Sequence, residues 1–349
     1  MNFINTNVKP FTRKLRLPIV AGIMSFMFAI PTLSNASTHL DILEPGQYIP
    51  NLVQNRYSQP FVVQALTERT YFVATGTHNA TFYVSDKGVM VIDPLSGGSG
   101  KSVIEAIKTV TALPITALVY THYHLDHLGD AQIFVDHANK ENVKLTIIAP
   151  QAVADQVARY GNQVPSPTNV VSSQKGYFMF DGLKVLVSSA NDTHSIDNSM
   201  FLLEGEKVLH YADGIEPEDF IPYFRLVGAL DIAPLENNLK QIQEMDWEYL
   251  NAGHANVGSR KDIKKHLTLI NDIRDSVKQA FSEEAFDKYY TPNADILLSV
   301  HKFHDGVANN ALAKLKVEYG THPRFNATMK SHVELMISNL SYYQMPHAE

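Results

Sequence analysis

The chain has 349 residues, 45% of them hydrophobic, which is enough to bury one large core or two modest ones. It carries 29 Lys and Arg against 36 Asp and Glu, and this negative balance argues against nucleic acid as a partner. It contains no cysteine, which excludes disulfides, thiolate metal ligands and a cysteine nucleophile.

The amino-terminal segment, residues 1–36, has the composition of a secretory signal peptide. Four basic residues and no acid precede an apolar run over 17–33, and Ser-Asn-Ala follows at 34–36. An uncleaved anchor is the alternative, but the run is short and holds two prolines. We therefore expect cleavage after Ala36 and an exported protein, periplasmic or secreted, without stable membrane insertion. The mature chain then has 25 basic against 36 acidic residues, a net charge near −11.

The mature chain opens with four apolar runs between residues 61 and 93, which predict an antiparallel sheet. His78 falls in a turn between two of these strands. A solvated turn is the simpler interpretation of this residue, and contact with a substrate is the alternative. The fourth strand ends in Asp93. A helix is expected over 101–111 and a buried strand over 115–120.

The rest of the chain alternates strands and helices and then becomes helical. The pattern predicts helix, strand and helix up to residue 160, and further strands between 176 and 211. A helix near 235–245 and a strand over 247–251 follow. From residue 259 onward the apolar spacing predicts helices alone.

A dense group of ligand-type side chains directly follows the strand predicted at 115–120. His122, His124, Asp126 and His127 stand within six consecutive positions, and Gly129 is expected to open the next helix. Imidazole and carboxylate are ligands that zinc favours, with iron and manganese as alternatives. A solvated loop is the simpler alternative, but open α/β folds place their sites at the carboxyl ends of strands. On such a turn the first two histidines project to one side and the other two residues to another, which predicts two adjacent metal positions.

This motif resembles the first metal motif of the metallo-β-lactamase superfamily of metal-dependent hydrolases. The resemblance implies an α/β (α+β) fold, the four-layer αβ/βα sandwich, over residues 58–258. Residues 259–349 are then an appended C-terminal helical segment and not a second catalytic domain.

The resemblance also assigns later ligands, because the matching motifs follow in the same order. His194 lies in a short loop after a strand, Asp213 ends a strand, and His254 follows Gly253 after another. One metal is then bound by His122, His124 and His194, a second by Asp126, His127 and His254, and Asp213 bridges the two. Asp93 matches the residue that supports the metal loop, with a turn-forming Asp-Pro as the alternative. We interpret His210 as structural.

The function implied is that of a hydrolase with two divalent metal ions, zinc first and iron or manganese as alternatives. A metal-bridging hydroxide would cleave a carboxylic ester, lactone or thioester of a small-molecule substrate, with Asp126 as the catalytic residue that accepts or relays the proton. A carboxylate at the bridging position makes the site more similar to those of lactonases and thioesterases than to those of β-lactamases, which lack it. A β-lactam hydrolase of the same fold is therefore the alternative and not the first expectation. A catalytically silent periplasmic metal- or ligand-binding protein is a second one, and the complete ligand set argues against it.

Two comparisons within the superfamily refine this expectation. Glu216 stands three positions after Asp213, where a lactonase would have tyrosine, and Tyr223 or Tyr211 is a candidate to replace that side chain at the substrate. A large alkylsulfatase is disfavoured because the chain is short for that group and the first motif lacks its metal-site glutamate.

Overall fold

Two β-sheets face each other in the computed structural model, and helices cover the outer face of each. The structure describes residues 40–161, 163–172, 176–190, 193–218 and 221–344. The expected signal peptide, residues 1–36, lies outside the described residues, so export stays a prediction.

The first sheet has seven strands in sequential order. These are β1 (Val62–Ala65), β2 (Thr70–Thr75), β3 (His78–Val84), β4 (Val89–Ile92), β5 (Ile115–Val119), β6 (Thr146–Pro150) and β7 (Asn169–Val171). Strands β1 to β4 are antiparallel, as predicted, whereas β4 to β7 run parallel. Every residue of β4 is buried, which is typical of a strand covered on both faces.

The second sheet has six strands in the reverse sequential order. These are β8 (Gly176–Phe180), β9 (Leu183–Ser189), β10 (Ser199–Leu203), β11 (Val208–His210), β12 (Tyr249–Asn251) and β13 (Val257–Gly258). Only the β11 and β12 pair is parallel. The ends of β5, β11 and β12 therefore bring distant parts of the chain to one edge of the sandwich.

Helices form the two outer layers and the carboxyl-terminal third of the chain. They are α1 (Leu52–Ser58), α2 (Ser99–Val110), α3 (Leu125–Leu128), α4 (Ala131–Lys140), α5 (Gln151–Arg159), α6 (Phe224–Gly228), α7 (Ile232–Glu244), α8 (Arg260–Glu283), α9 (Ile296–Tyr319) and α10 (Phe325–Asn339). The predicted helix does not open at Gly129, because α3 forms one turn within the motif and α4 begins at Ala131. In the described part of the chain, no helix has both the length and the apolar composition to cross a membrane.

Three apolar clusters fill the spaces between these layers, and the alternation of side chains along each strand separates them. Phe72 faces the second sheet and packs with Phe201, whereas its neighbour Val73 packs with Phe134 under the helices of the first sheet. The third cluster lies between the second sheet and the helices that follow it. The expected four-layer fold is confirmed.

The C-terminal helices share the core of the second sheet. Ile270 of α8, Ala311 of α9 and Val333 of α10 are fully buried in one cluster with Leu250 of β12 and Trp247. The capping box between Ser259 and Asp262 starts α8 directly after the last strand. The helical segment therefore packs against the outer face of this sheet and shares its apolar core.

Candidate metal centre

The His-x-His-x-Asp-His motif begins where β5 ends, as predicted. The buried strand stops at Val119, and α3 then turns the chain, its first amide donors bonding to the carbonyl of His124. His122 and His124 precede this turn, whereas Asp126 and His127 lie on it. The two pairs therefore project in different directions.

The structure brings all seven predicted ligands together in two groups. The ligand atoms of each group lie within 4.8 Å of one another. The first group is His122, His124, His194 and Asp213, and the second is Asp126, His127, Asp213 and His254. This is the division expected from the sequence, with Asp213 belonging to both groups.

Asp213 lies at the centre of the imidazoles. Its Oδ2 atom is 3.1 Å from Nε2 of His194, 3.3 Å from Nε2 of His127 and 3.5 Å from Nε2 of His122. Its Oδ1 atom is 3.1 Å from Nε2 of His254. Oδ2 thus faces imidazoles of both groups and Oδ1 faces the second, so the carboxylate lies between the two groups, where a bridging ligand must lie.

Three buried ligand atoms point at this centre without a hydrogen-bond partner among the described residues: Nε2 of His122, Nε2 of His127 and Oδ1 of Asp213. A buried polar atom without a partner is costly, and each such atom calls for an explanation. A cation in each group would give all three atoms a partner. The donor set, imidazole nitrogen with carboxylate oxygen, is the one that zinc favours. These residues therefore fit a pair of divalent cations.

The carboxylate of Asp93 stabilises the metal motif through hydrogen bonds. It accepts from the amide of Thr121 at 3.2 Å and from the Thr121 hydroxyl at 2.9 Å. It also accepts from Nδ1 of His127 at 3.0 Å and Nε2 of His210 at 3.3 Å. Because Nδ1 of His127 is bonded there, its Nε2 atom is the one that faces Asp213. This placement matches the supporting role that the sequence predicts for Asp93.

His210 has the structural role expected from the sequence, whereas Asp197 is a contributor that the sequence analysis missed. His210 is fully buried on β11, and its Nδ1 atom lies 2.9 Å from the Thr81 hydroxyl, which leaves Nε2–H for Asp93. Asp197 accepts from the amide of Tyr123, between the first two motif histidines, at 2.7 Å. His210 ends a buried strand, whereas Asp197 lies two residues before β10 in the loop that carries His194.

The three candidate substrate contacts lie in different places. His78 is not a solvated turn residue: its side chain is 18% exposed, and Nε2 lies 3.6 Å from Oδ2 of Asp126. Tyr223 is 65% exposed and lines a cavity next to the centre. Tyr211 is fully buried with its hydroxyl 3.1 Å from that of Thr193. The alternative that Tyr211 serves the substrate is therefore wrong.

A cavity of about 920 Å³ opens onto the two groups of ligands. Its wall combines Asp126 and His254 with apolar side chains from α1, from the loop after Asp213 and from the start of α10. The apolar contributors are Leu52, Val53, Tyr57, Pro217, Tyr223, Val227, Ala255 and Ala327. An ion pair of 2.7 Å between Glu216 and Arg324 joins the loop to the C-terminal helices. The C-terminal segment therefore forms part of the site.

Comparison with known families agrees with this architecture. The sequence model of the metallo-beta-lactamase superfamily matches residues 73–254, a little over half of the chain. The protein belongs to this superfamily. Members of the superfamily are mostly hydrolytic metalloenzymes that bind two metal ions, and the two ligand groups found here agree with metal binding.

Two relatives by sequence have been characterised. The α subunit of 2,4-dinitroanisole O-demethylase from Nocardioides sp. (strain JS1661) is 24% identical over 205 residues, 58% of this chain and 60% of that protein. An (R)-specific secondary-alkylsulfatase from Pseudomonas sp. is 25% identical over 183 residues, 45% of this chain and 27% of that protein. The chain thus spans less than two thirds of the length of either relative.

Solved structures share the fold. A metallo-beta-lactamase from Pontibacter korlensis is similar with a TM-score of 0.51 and 17% identity, over 60% of this chain and 98% of its own. A stereoselective inverting sec-alkylsulfatase from Pseudomonas sp. gives a TM-score of 0.53 and 14% identity, over 82% of this chain and 51% of its own. Residues 1–258 are less than three quarters of the 349, so the second match must include part of the C-terminal segment.

The charges of the two ligand groups differ. Burial lowers the pKa of His122, and it lowers the pKa of His124 to about 4. Burial also opposes a charged His254, but Asp126 and Asp213 outweigh it and raise the pKa of His254 to about 9. The pKa of His127 is raised in the same way, since Asp213 and then Asp93 outweigh its burial. In the metal-free protein, protons on His127 and His254 thus balance the negative charges of the carboxylates in the second group.

We expect the second metal to bind with a steeper pH dependence than the first. A cation in the second group must displace the protons of His127 and His254, whereas His122 and His124 are already neutral at pH 7. At a pH below the pKa of each of these two imidazoles, the proton that the metal displaces should weaken binding by about tenfold per pH unit. Zinc titrations against a chromophoric chelator between pH 6 and pH 9 measure this. Equal slopes for the two metals would contradict the assignment of charges.

We also expect about two divalent metal ions per chain, because two ligand groups share one carboxylate. Elemental analysis of protein purified without chelator, and again after chelation and reconstitution, measures the content. A reproducible value near zero after reconstitution would overturn the assignment of all seven ligands.

Proposed function

We propose that the protein is an exported, dinuclear zinc-dependent hydrolase that cleaves a carboxylic ester, lactone or thioester. The observation that carries this proposal is the pair of ligand groups around Asp213 at the floor of the cavity. When bound, two divalent cations would polarise the scissile carbonyl and lower the pKa of a water between them.

Asp126 is the residue we assign to proton transfer. Its side chain is 42% exposed and lines the cavity, so that a water beside the centre can reach it. Burial opposes its ionisation, but His254 and His78 outweigh this effect and hold the pKa of Asp126 well below its usual range. The carboxylate is therefore ionised and can accept a hydrogen bond from that water, and Nε2 of His78 lies 3.6 Å from Oδ2.

The cavity supports a substrate with a sizeable apolar group. Val53, Tyr57 and Tyr223 are 57%, 64% and 65% exposed, yet they line the same cavity next to the ligands. Exposed apolar side chains that cluster around a concave site mark a binding surface. We therefore place the apolar part of the substrate between α1 and the loop that follows Asp213.

A substrate panel tests the proposal. It contains short-chain and long-chain esters, lactones, thioesters and β-lactams, assayed with the zinc-loaded protein and with the His122→Ala variant as the matched control. We expect turnover of at least one acyl substrate, abolished in the variant, with kcat/KM rising with the length of the apolar chain. Turnover of β-lactams alone supports the β-lactam hydrolase instead. No turnover at full metal occupancy supports the silent binding protein.

Sulfate esters belong in the panel as a second candidate class. The alkylsulfatase relatives support them, the structural match to a sec-alkylsulfatase includes part of the C-terminal segment, and an alkyl chain suits the apolar wall. Against them stands the absence of that group's metal-site glutamate from the first motif. Sulfate release without acyl hydrolysis would replace the ester proposal by this one.

Export has its own test. We expect protein recovered from outside the cytoplasm to begin at about Ser37, because cleavage is predicted after Ala36. Intact-mass measurement of that protein determines its first residue. Full-length chain beginning at Met1 in membrane fractions would support an anchor.

A further inference from the structure

A left-handed turn lies beside the first ligand group. Within α6 (Phe224–Gly228), Arg225, Leu226 and Val227 have φ angles of 49°, 52° and 60°, and Gly228 follows at 71°. Left-handed backbone is disfavoured for residues other than glycine, most of all for a β-branched side chain such as that of valine. Three such residues in succession persist only where their surroundings impose the conformation.

Hydrogen bonds to side chains of α10 stabilise this left-handed conformation. The amide of Arg225 donates to the Ser331 hydroxyl at 3.0 Å, and the amide of Leu226 donates to Nδ1 of His332 at 3.0 Å. Nε2 of His332 donates to the carbonyl of Pro222 at 3.2 Å. His332 is fully buried, and burial lowers the pKa of His332 to about 4. It therefore stays neutral, with Nδ1 as acceptor and Nε2–H as donor.

The backbone of the left-handed turn contacts His194, a predicted ligand of the first group. Nδ1–H of His194 donates to the carbonyl of Val227 at 2.6 Å, which leaves Nε2 facing Asp213 at 3.1 Å. The backbone of Gly228 packs against the same ring, since a Cβ atom there would lie 3.0 Å from Nδ1 of His194. The left-handed conformation therefore places a carbonyl and a close backbone contact where the imidazole needs them.

We propose that Ser331 and His332 are positioning residues that set the orientation of His194 through this left-handed turn. Helix α10 lies beyond residues 73–254, which the superfamily model matches. It thereby supports a ligand of the first group. The proposal rests on the proposed role of His194 as a metal ligand. Partners of this kind fix the tautomer and direction of a ligating imidazole, and their loss weakens metal binding by about 10–100-fold.

The competing explanation is that His332 only stabilises the helical core. Val333 is the matched control, because it is the next residue of α10 and is equally buried but lies in the apolar cluster. Val333→Ala should lower Tm without changing the hydrogen bonds of the turn. A structural role alone predicts that this control and the His332 variants behave alike.

Three substitutions separate the two bonds of His332. His332→Asn keeps an acceptor near the position of Nδ1 for the amide of Leu226, His332→Gln keeps a donor near Nε2 for the carbonyl of Pro222, and His332→Leu removes both. The bond to Leu226 fixes a left-handed residue directly, so we expect Asn to restore more metal affinity than Gln. Ser331→Ala should have a smaller effect than His332→Leu.

The measurement is the dissociation constant of each metal, from zinc titration of metal-free protein against a chromophoric chelator. His194→Ala and His254→Ala identify the first and second groups in the titration. We expect His332→Leu to weaken the first group by about 10–100-fold and the second by less than about threefold. Val333→Ala should leave both within about threefold.

Two outcomes overturn the proposal: wild-type metal affinity in folded His332→Leu, or equal loss from both groups in His332→Leu and Val333→Ala. If His332→Leu does not fold, wild-type affinity of the first group in His332→Gln, which lacks the acceptor for the amide of Leu226, has the same meaning. Retention of two metals by His194→Ala would instead overturn the proposed metal centre itself.

Discussion

Asp213→Ala is expected to lower kcat by about 100-fold or more and to leave about one metal ion per chain. The wild-type carboxylate lies 3.1 to 3.5 Å from four imidazole nitrogens. Cations bound in two adjacent groups would repel each other, and removing the carboxylate that both groups share would increase this repulsion. One cation should dissociate, and the activated water is lost with it.

His78→Ala is the matched comparison for this variant. His78 lies 3.6 Å from Asp126 but belongs to neither ligand group. We expect a change of less than about tenfold, mainly in KM, because no ligand is removed. Circular dichroism must show both variants folded, and kinetics on the substrate that the panel identifies provides the comparison. If Asp213→Ala keeps two metals and full kcat, Asp213 does not bridge them.

The two groups of candidate ligands could be predicted from the sequence because most of their residues lie within a few positions of the end of a strand. His122 and His124 follow β5 directly, and the pattern of apolar residues before Asp213 and His254 marks two further strand ends. Parallel neighbours β11 and β12 then bring those ends to one edge. Local pattern and strand order together are enough to assemble the groups, and the fold class follows from the same order.

Contacts between distant segments were not predictable in this way. His78 looked like a turn residue, and its place beside Asp126 depends on pairing between β3 and the loop after β12, where His78 bridges to His254. The amide of Asn79 donates to the carbonyl of Gly253 at 2.7 Å in the same contact. The local sequence of neither segment indicates that it pairs with the other.

The left-handed turn at α6 is the clearest case of tertiary control over local structure. The sequence Phe-Arg-Leu-Val-Gly has no residue before its glycine that favours positive φ. The conformation follows from two hydrogen bonds to α10, more than a hundred residues later in the chain. The helical segment at 259–349, predicted as an appendage, is therefore needed to explain the backbone beside His194.

Asp93→Asn is expected to destabilise the protein by about 2–4 kcal/mol and to weaken the second metal by about 10–100-fold. Four donors reach this fully buried carboxylate: the amide and hydroxyl of Thr121, Nδ1 of His127 and Nε2 of His210. An amide group at residue 93 must turn its NH₂ toward one of the two Thr121-bonded oxygen positions, so at least one donor meets another donor. Asp93 has a φ of 65°, which asparagine also tolerates, so the backbone adds no new strain.

The effect of Asp93→Asn on metal binding should exceed what lost stability alone produces. Asp262→Asn is the control, because Asp262 is a buried carboxylate that caps α8 and lies in neither ligand group. Both variants should lower the free energy of unfolding in urea, but only Asp93→Asn removes the negative charge that Nδ1 of His127 donates to, which weakens the bond that fixes the direction of its Nε2 atom. Zinc titration of the metal-free variants measures the difference. If the two variants bind the second metal equally well, Asp93 stabilises the fold without orienting His127, and its supporting role in the metal loop is wrong.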